Sequence, residues 1–134
     1  MEKGFRRTIY VLLLSLVLLD IVISFLAFFF PETWFKLFHN SDFIDPQGFL
    51  RRCAANWTAF ALIQTLAFIK WERKPYWLAI VAGVRFSDIF TDWAYLWFSS
   101  GTTHFGKITL FFMSPFNLLL GLLFLNAYKR LQKT

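Results

Sequence analysis

Residues 8–30 read TIYVLLLSLVLLDIVISFLAFFF, a run of 23 residues in which Asp20 is the one charged side chain. About 20 consecutive apolar residues cross the hydrocarbon core of a bilayer as an α-helix, so this run predicts a membrane span. Basic residues precede it, as in a signal peptide, but the run is too long for one and no cleavage motif follows. We therefore expect an uncleaved anchor, which Pro31 ends because proline interrupts a helix.

Three further apolar runs follow, over residues 49–69, 76–98 and 108–128. A loop at 32–48, rich in Trp and Phe, separates the first two runs and is expected to lie at the membrane interface. The composition agrees with a membrane protein, because 16% of the residues are charged against roughly 25% in soluble domains. We expect residues 1–134 to form a single integral membrane domain of the all-α class, a polytopic bundle of four transmembrane helices.

Lysine and arginine are distributed unevenly between the two ends of the predicted spans. Nine lie in the N-terminal segment, in the break at residues 70–75 and at the C-terminus, whereas four lie at the opposite ends. Basic loops stay in the cytoplasm, so both termini are predicted to be cytoplasmic, with the protein in the bacterial cytoplasmic (inner) membrane. The net charge of +6 is thereby explained by topology, and we expect no nucleic-acid partner.

The third run carries three charges, Arg85, Asp88 and Asp92. Their spacings of three and four residues place them on one face of a helix. A charge at the centre of a bilayer costs on the order of 3 kcal/mol, so this face must lie against protein or a water-filled cleft. With a rise of about 1.5 Å per residue, Asp20 of the first run reaches the height of Arg85 and Asp88.

The same estimate of height adds polar residues from the other two runs. Arg52 and Asn56 of the second run reach the level of Asp92. Asn117 of the fourth run reaches the level of Asp88. The predicted ligand-binding cluster therefore consists of Asp20, Arg52, Asn56, Arg85, Asp88, Asp92 and Asn117.

Two interpretations of this cluster remain open. In the first it is a structural network, in which Arg85 pairs with Asp20 or Asp88. Arg52 would then pair with Asp92, because buried charges in proteins are usually paired. In the second it is a polar pocket that opens to the outer face and binds a lipid headgroup, a quinone carbonyl or a proton, since ionisable groups within a membrane are commonly functional.

Two features of the second run concern packing. Gln64 is expected to form a hydrogen bond between helices, as polar side chains do within membranes. The small residues Ala54, Ala55 and Ala59 are expected to let a neighbouring helix approach closely.

Metal and catalytic motifs are weak or absent in the sequence. Cys53 is the single cysteine, which excludes an internal disulfide, a CxxC pair and a thiolate metal cluster. His39 and His104, with Asp42 and Asp45, could bind a metal, but such loop residues are more often solvated, and we predict no metal. No nucleophile–base pair, glycine-rich phosphate loop or HExxH motif occurs. No catalytic residue or cofactor is assigned, and an enzyme is the less favoured class.

The order of the anchor span, then PETWF at residues 31–35, then LRR at residues 50–52 resembles small bacterial DoxX-like proteins. These are four-helix membrane proteins in which one arginine opens the second helix and another lies in the third. Arg52 and Arg85 occupy the matching positions. The second helix of that group usually contains glycines where this chain has Ala54, Ala55 and Asn56. The resemblance implies an accessory subunit of a quinone-linked respiratory or redox complex, or a protein whose role is unassigned.

The sequence favours a non-enzymatic membrane protein as its function. Through the Arg/Asp/Asn cluster it would bind a hydrophobic small molecule, quinone-like or lipid-like, or another membrane subunit, with Phe and Trp side chains as apolar walls. The alternative is a small transporter or proton-coupled carrier that associates with itself and uses an intramembrane carboxylate such as Asp88. The internal repeat that many carriers show is missing, which places this alternative second.

Overall fold

The computed structural model describes residues 3–132, which form five α-helices. Their bounds are Lys3–Phe29 for α1, Pro31–Phe38 for α2, Phe49–Lys70 for α3, Tyr76–Phe98 for α4 and His104–Gln132 for α5. The predicted all-α class is confirmed. The four long helices coincide with the four apolar runs of the sequence, and α5 extends beyond its run at both ends.

The short helix α2 corrects the sequence prediction, which places a loop throughout residues 32–48. Pro31 ends α1 and occupies the first turn of α2. A proline is tolerated there, since the first amides of a helix have no intrahelical acceptor. Glu32 in the first turn complements the positive end of the helix dipole. Trp34 is buried and anchors α2 to the bundle.

The four long helices form two pairs, with α1 packed mainly on α3 and α4 packed mainly on α5. In each pair the helices are antiparallel, because later residues of one helix contact earlier residues of the other. The contacts Asp20–Gln64 and Ser24–Ala54 show this for α1 and α3, and Ile89–Ser114 and Trp93–Phe111 show it for α4 and α5. The short helix α2 lies across one end of the bundle, where it contacts α1 and α5. It therefore connects the two pairs at that end.

Close contact between α1 and α3 depends on small residues. Ala54 and Ala61 of α3 are buried, and the Ser24 hydroxyl of α1 donates to the Ala54 carbonyl at 2.7 Å. The expected role of Ala54 in close packing is thus confirmed. The same expectation for Ala55 and Ala59 is wrong, because both are exposed.

The interior differs between the two halves of the bundle. The half that holds the start of α1, the end of α5 and the α3–α4 turn, here the terminal half, is filled by apolar side chains of all four long helices. Trp71 of the turn and Phe124 of α5 are 0% exposed there. The other half, here the α2 half, has a smaller apolar cluster around Ala27, Trp34 and Ala54. It also contains a cavity of about 420 Å³.

Two of the helices, α1 and α5, are long and apolar enough to cross a bilayer. The helices α3 and α4 do not meet the same criterion of hydropathy and charge. They carry charged residues within their sequences, two arginines at the start of α3 and Arg85, Asp88 and Asp92 in α4. All four long helices expose large apolar side chains, for example Phe25, Leu62, Phe90 and Leu119. Soluble monomers rarely expose apolar surface of this extent, so the surface agrees with a location in a membrane.

Candidate functional site

Each long helix contributes one buried polar residue to a layer that separates the two halves. This polar layer consists of Asp20 of α1, Gln64 of α3, Arg85 of α4 and Asn117 of α5, each no more than 4% exposed. Arg85 Nη2 donates to Asp20 Oδ2 at 3.2 Å, and Gln64 Nε2 donates to the same oxygen at 2.5 Å. Arg85 Nη1 donates to Asn117 Oδ1 at 3.5 Å. The layer thereby links the α1–α3 pair to the α4–α5 pair.

Arg85 is shared between two carboxylates. Its Nη2 lies 3.2 Å from Asp20 Oδ2 and 3.7 Å from Asp88 Oδ2. If the cluster is a structural network, the sequence predicts that Arg85 pairs with Asp20 or with Asp88. Both ion pairs are present. The hydrogen bond of Gln64 to Asp20 also confirms the interhelical role that is expected for Gln64.

Asp92 lies about one helical turn beyond Asp88 on the same face of α4, and both line the cavity. Its carboxylate accepts a hydrogen bond from Asn117 Nδ2 at 3.5 Å. Across residues 3–132, no cationic side chain forms an ion pair with Asp92. The polar end of the cavity therefore contains three carboxylates and the guanidinium of Arg85.

Arg52 and Asn56 are not part of this group. Both are exposed, and neither lines the cavity. The expected pairing of Arg52 with Asp92 does not form. The reason is rotational, because Ala54 points into the bundle and residues two positions away lie about 200° around a helix of 3.6 residues per turn. The structure brings together the other five predicted residues, namely Asp20, Arg85, Asp88, Asp92 and Asn117.

The walls of the cavity are mainly apolar and come from every helix. The aromatic side chains among them are Trp34, Phe35, Phe38, Phe43, Phe49, Trp57, Tyr95 and Phe116. The carboxylate of Asp45, which also lines the cavity, accepts hydrogen bonds from the backbone amides of Phe49 at 2.8 Å and Leu50 at 3.0 Å. It thereby satisfies free N–H groups at the start of α3. Its carboxylate thus has a structural role.

A hydrogen bond between His39 and Tyr95 joins the end of α2 to α4 beside the cavity. His39 follows α2, is 4% exposed, and its Nε2 forms a hydrogen bond with the Tyr95 hydroxyl. The ring of His39 also stacks on Phe35 at a centroid distance of 4.6 Å. The Thr103 amide donates to the Phe38 carbonyl at 2.9 Å, which attaches the end of α2 to the α4–α5 turn.

Sequence reasoning misses this role of His39, which it considers only as a metal ligand. Within residues 3–132, no group of three or more His, Cys, Asp or Glu side chains is arranged to hold a metal ion. A usable signal is present, since Phe35 and His39 are four residues apart at the end of an aromatic segment. Such spacing brings two side chains together on a helix and its immediate continuation.

The arrangement suits an amphipathic ligand. A volume of about 420 Å³ falls within the roughly 300–1,000 Å³ of known small-molecule pockets, which combine apolar walls with few polar groups. Here Asp88, Asp92 and Asn117 line the cavity next to the polar layer, and most of the remaining lining is apolar. A ligand with one polar end and an apolar body would match both regions. No family model matches the chain, and neither a curated protein nor a solved structure matches it.

Proposed function

We propose that the protein spans the membrane four times and binds a small amphipathic molecule in the cavity of the α2 half. The observation that supports this most directly is the contrast between the two halves. The terminal half is closely packed, whereas the α2 half contains a partly open cavity of about 420 Å³ beside the polar layer. A molecule that fits this cavity would form dispersion contacts with its apolar lining and would thereby stabilise the bundle.

The proposed membrane placement is supported by length, surface and charge. The helices α3 and α4 have 22 and 23 residues, enough to cross a bilayer, and all four long helices expose apolar side chains. The terminal half carries the majority of the basic residues, which favours the cytoplasmic side for both termini. In a bacterial cytoplasmic membrane the cavity would then lie in the outer half. The resemblance to DoxX-like proteins favours a binding or accessory role over catalysis.

The carrier hypothesis receives less support. A carrier needs a path from one side of the membrane to the other, whereas packed side chains such as Leu13, Leu78 and Phe124 occupy the terminal half. The polar layer above them is also closed by hydrogen bonds between Asp20, Gln64 and Arg85. This arrangement favours a binding site that opens toward one side.

Native mass spectrometry of the gently extracted protein tests the proposal. We expect a stoichiometric small-molecule adduct on the wild type. Leu110→Trp places an indole in the cavity that Leu110 lines, so the adduct should be lost. Leu119→Trp on the same helix is the matched control, because Leu119 is 66% exposed and does not line the cavity. An empty wild-type protein, or an adduct retained by Leu110→Trp, would contradict the proposal.

A further inference from the structure

We infer that two copies of this chain associate in the membrane through the outward face of α3, with Asn56 of each copy hydrogen-bonded to Asn56 of the other. The inference rests on the membrane placement proposed above and does not depend on what the cavity binds. It starts from a polar side chain that a single chain leaves exposed at a depth where lipid, and no water, would surround it.

In the proposed placement, Asn56 lies deeper in the membrane than the lipid headgroups. Arg51 and Arg52, near the start of α3, mark the level of the headgroups, because a long basic side chain extends along apolar surface to reach them. Asn56 follows Arg52 by four residues, a displacement of about 6 Å along the helix. The short side chain of asparagine does not span that distance, so its amide faces the hydrocarbon core.

The amide of Asn56 is not satisfied within the chain. The residue is exposed, and among residues 3–132 its side chain has no hydrogen-bond partner. Ser87 and Thr91 of α4, which are also exposed, donate to carbonyls of their own helix, those of Val84 at 2.7 Å and Ser87 at 2.9 Å. A polar group that faces hydrocarbon without a partner is unfavourable. The amide of Asn56 therefore needs a partner from outside the chain.

Electrostatic complementarity points to a second copy as that partner. The NH2 group of an asparagine is partially positive and donates, and its oxygen is partially negative and accepts, so two asparagines can form two reciprocal hydrogen bonds. All copies are inserted in the same orientation, so a twofold axis parallel to the membrane normal brings Asn56 of two copies together at the same depth. A single asparagine in the seam between packed helices is also a device that fixes register and oligomeric state.

The residues around Asn56 allow a second helix to pack against this face. Exposed positions recur there at intervals of three or four residues, as in the seam of a coiled coil, and they are Arg52, Ala55, Asn56, Ala59, Leu62 and Leu66. Ala59 follows Asn56 by three residues, and its small side chain lets two backbones approach closely. Deeper in the membrane, Leu62 and Leu66 are 62% and 38% exposed and offer apolar contact area.

Oxidative cross-linking of the full chain in native membranes tests the arrangement. In a Cys53→Ser background, Ala59→Cys places a thiol on the proposed interface, where the twofold axis brings it close to its own copy. We expect a disulfide-linked dimer after oxidation with copper phenanthroline. Leu119→Cys in the same background is the matched control, because Leu119 is 66% exposed on α5, and it should not cross-link above background.

Substitutions of Asn56 test the hydrogen bond itself. Combined with Ala59→Cys, Asn56→Leu should weaken self-association about tenfold, measured as the yield of dimer when proteoliposomes are diluted with lipid. Asn56→Gln keeps an amide and should retain most of the dimer. Asn126→Leu is the matched control, since Asn126 is also exposed but lies three residues before Lys129, at the basic end of α5. Asn56 is exposed in the single chain, so its replacement should leave the helical fold intact, which circular dichroism verifies.

The outcomes separate this inference from the proposed function. Equal cross-linking of Ala59→Cys and Leu119→Cys would overturn the interface on α3. A dimer that Asn56→Leu and Asn126→Leu affect equally would overturn the asparagine pair. Either result would leave ligand binding in place, because the adduct and its loss in Leu110→Trp are measured separately. Recovery of the protein outside the membrane fraction would overturn the proposed membrane placement and this inference together.

Discussion

Arg85 is the residue on which the polar layer depends. It contributes the positive charge between Asp20 and Asp88 and also donates to Asn117. It is 3% exposed, so water does not take over these contacts. Removal of one partner from a buried ion pair leaves the other charge uncompensated, which costs more than the pair itself contributes.

We expect Arg85→Met to be more destabilising than Asp20→Asn. Loss of the guanidinium leaves the buried carboxylate of Asp20 and the partly buried one of Asp88 without a cation, at a cost of about 3–5 kcal/mol. Asp20→Asn leaves Arg85 paired with Asp88 and keeps an oxygen that can accept from Gln64. The free energy of unfolding in micelles, from denaturant titration, measures both. Equal losses would show that Asp88 does not compensate Arg85.

The exposed ion pair between Arg6 and Glu72 should make stability depend on pH. Arg6 Nη2 lies 2.5 Å from Glu72 Oε1, and the hydrogen bond and charge of Arg6 lower the pKa of Glu72 below its ordinary value of 4.5. A lowered pKa in the folded state means that the contribution is present above the ordinary value and is lost as the pH falls through the lowered one. Because both side chains are largely exposed, the effect should be small and should weaken with salt.

Melting temperatures of the wild type and Glu72→Gln, measured from pH 7 to pH 3, check this. The wild type should melt slightly higher at neutral pH, and the difference should disappear at the acid end. A difference that is independent of pH would rule out the ionised pair as its source.

The polar residues show what the sequence can and cannot predict. The rise per residue predicts how far along their helices Asp20, Arg85 and Asn117 lie, and it places them at similar levels. In the structure Arg85 forms hydrogen bonds with both of the others. The same estimate fails for Arg52 and Asn56, because height along a helix says nothing about rotation around it. On α3 the rotation is fixed by the small buried residues that pack on α1, such as Ala54.

Among the helices, α5 is notable for a proline in its interior, Pro115. Proline has no amide hydrogen, so the carbonyl four residues earlier, that of Phe111, loses its helical donor. Trp93 of α4 supplies a replacement, because its Nε1 donates to the Phe111 carbonyl at 3.2 Å. In a membrane an unpaired carbonyl is costly, so this bond ties α4 to α5 where the helical ladder is interrupted.

Trp93→Phe is therefore expected to cost about 1 kcal/mol of unfolding free energy through the lost hydrogen bond. In a Pro115→Ala background the same substitution should cost less, since an alanine at this position would restore an amide donor to the Phe111 carbonyl. A double-mutant cycle by denaturant unfolding measures this coupling. Strictly additive effects would mean that the indole does not compensate the proline.

The start of the short helix α2 can be recognised in the sequence, but its stability cannot. Eight residues are too few for a stable isolated helix, so its existence depends on tertiary contacts. Those contacts are specific, since a Cβ atom added at Gly106 would lie 2.7 Å from the Phe38 carbonyl oxygen. The sequence does contain a helix start, Pro31 followed by Glu32, which is typical of a first turn.

For the molecule as a whole, hydropathy predicts the four long helices and their order because each apolar run is about as long as a membrane is thick. A polar pocket is one of the two interpretations that the sequence leaves open, but the size of the cavity and most of its lining could not be predicted, since they arise from packing between the two helix pairs. Hydropathy also does not distinguish the filled terminal half from the α2 half, because apolar side chains line both.

The orientation of the molecule is testable through Cys53, the single cysteine of the chain. It is exposed and lies near the start of α3, in the α2 half. A membrane-impermeant maleimide added to intact cells should label it from outside. Arg73→Cys in a Cys53→Ser background is the matched control, because Arg73 is exposed in the α3–α4 turn and should react only in inverted vesicles. The reverse pattern would invert the topology.

The closed packing of the terminal half has a thermodynamic consequence. On the proposed function, a molecule in the cavity would have no path through the terminal half, since Trp71, Leu78 and Phe124 fill the bundle below the polar layer. Its occupancy would then follow the chemical potential of the ligand on the side of the α2 half. The ligand concentration on the opposite side of the membrane would then have no direct effect on how much of the protein is occupied.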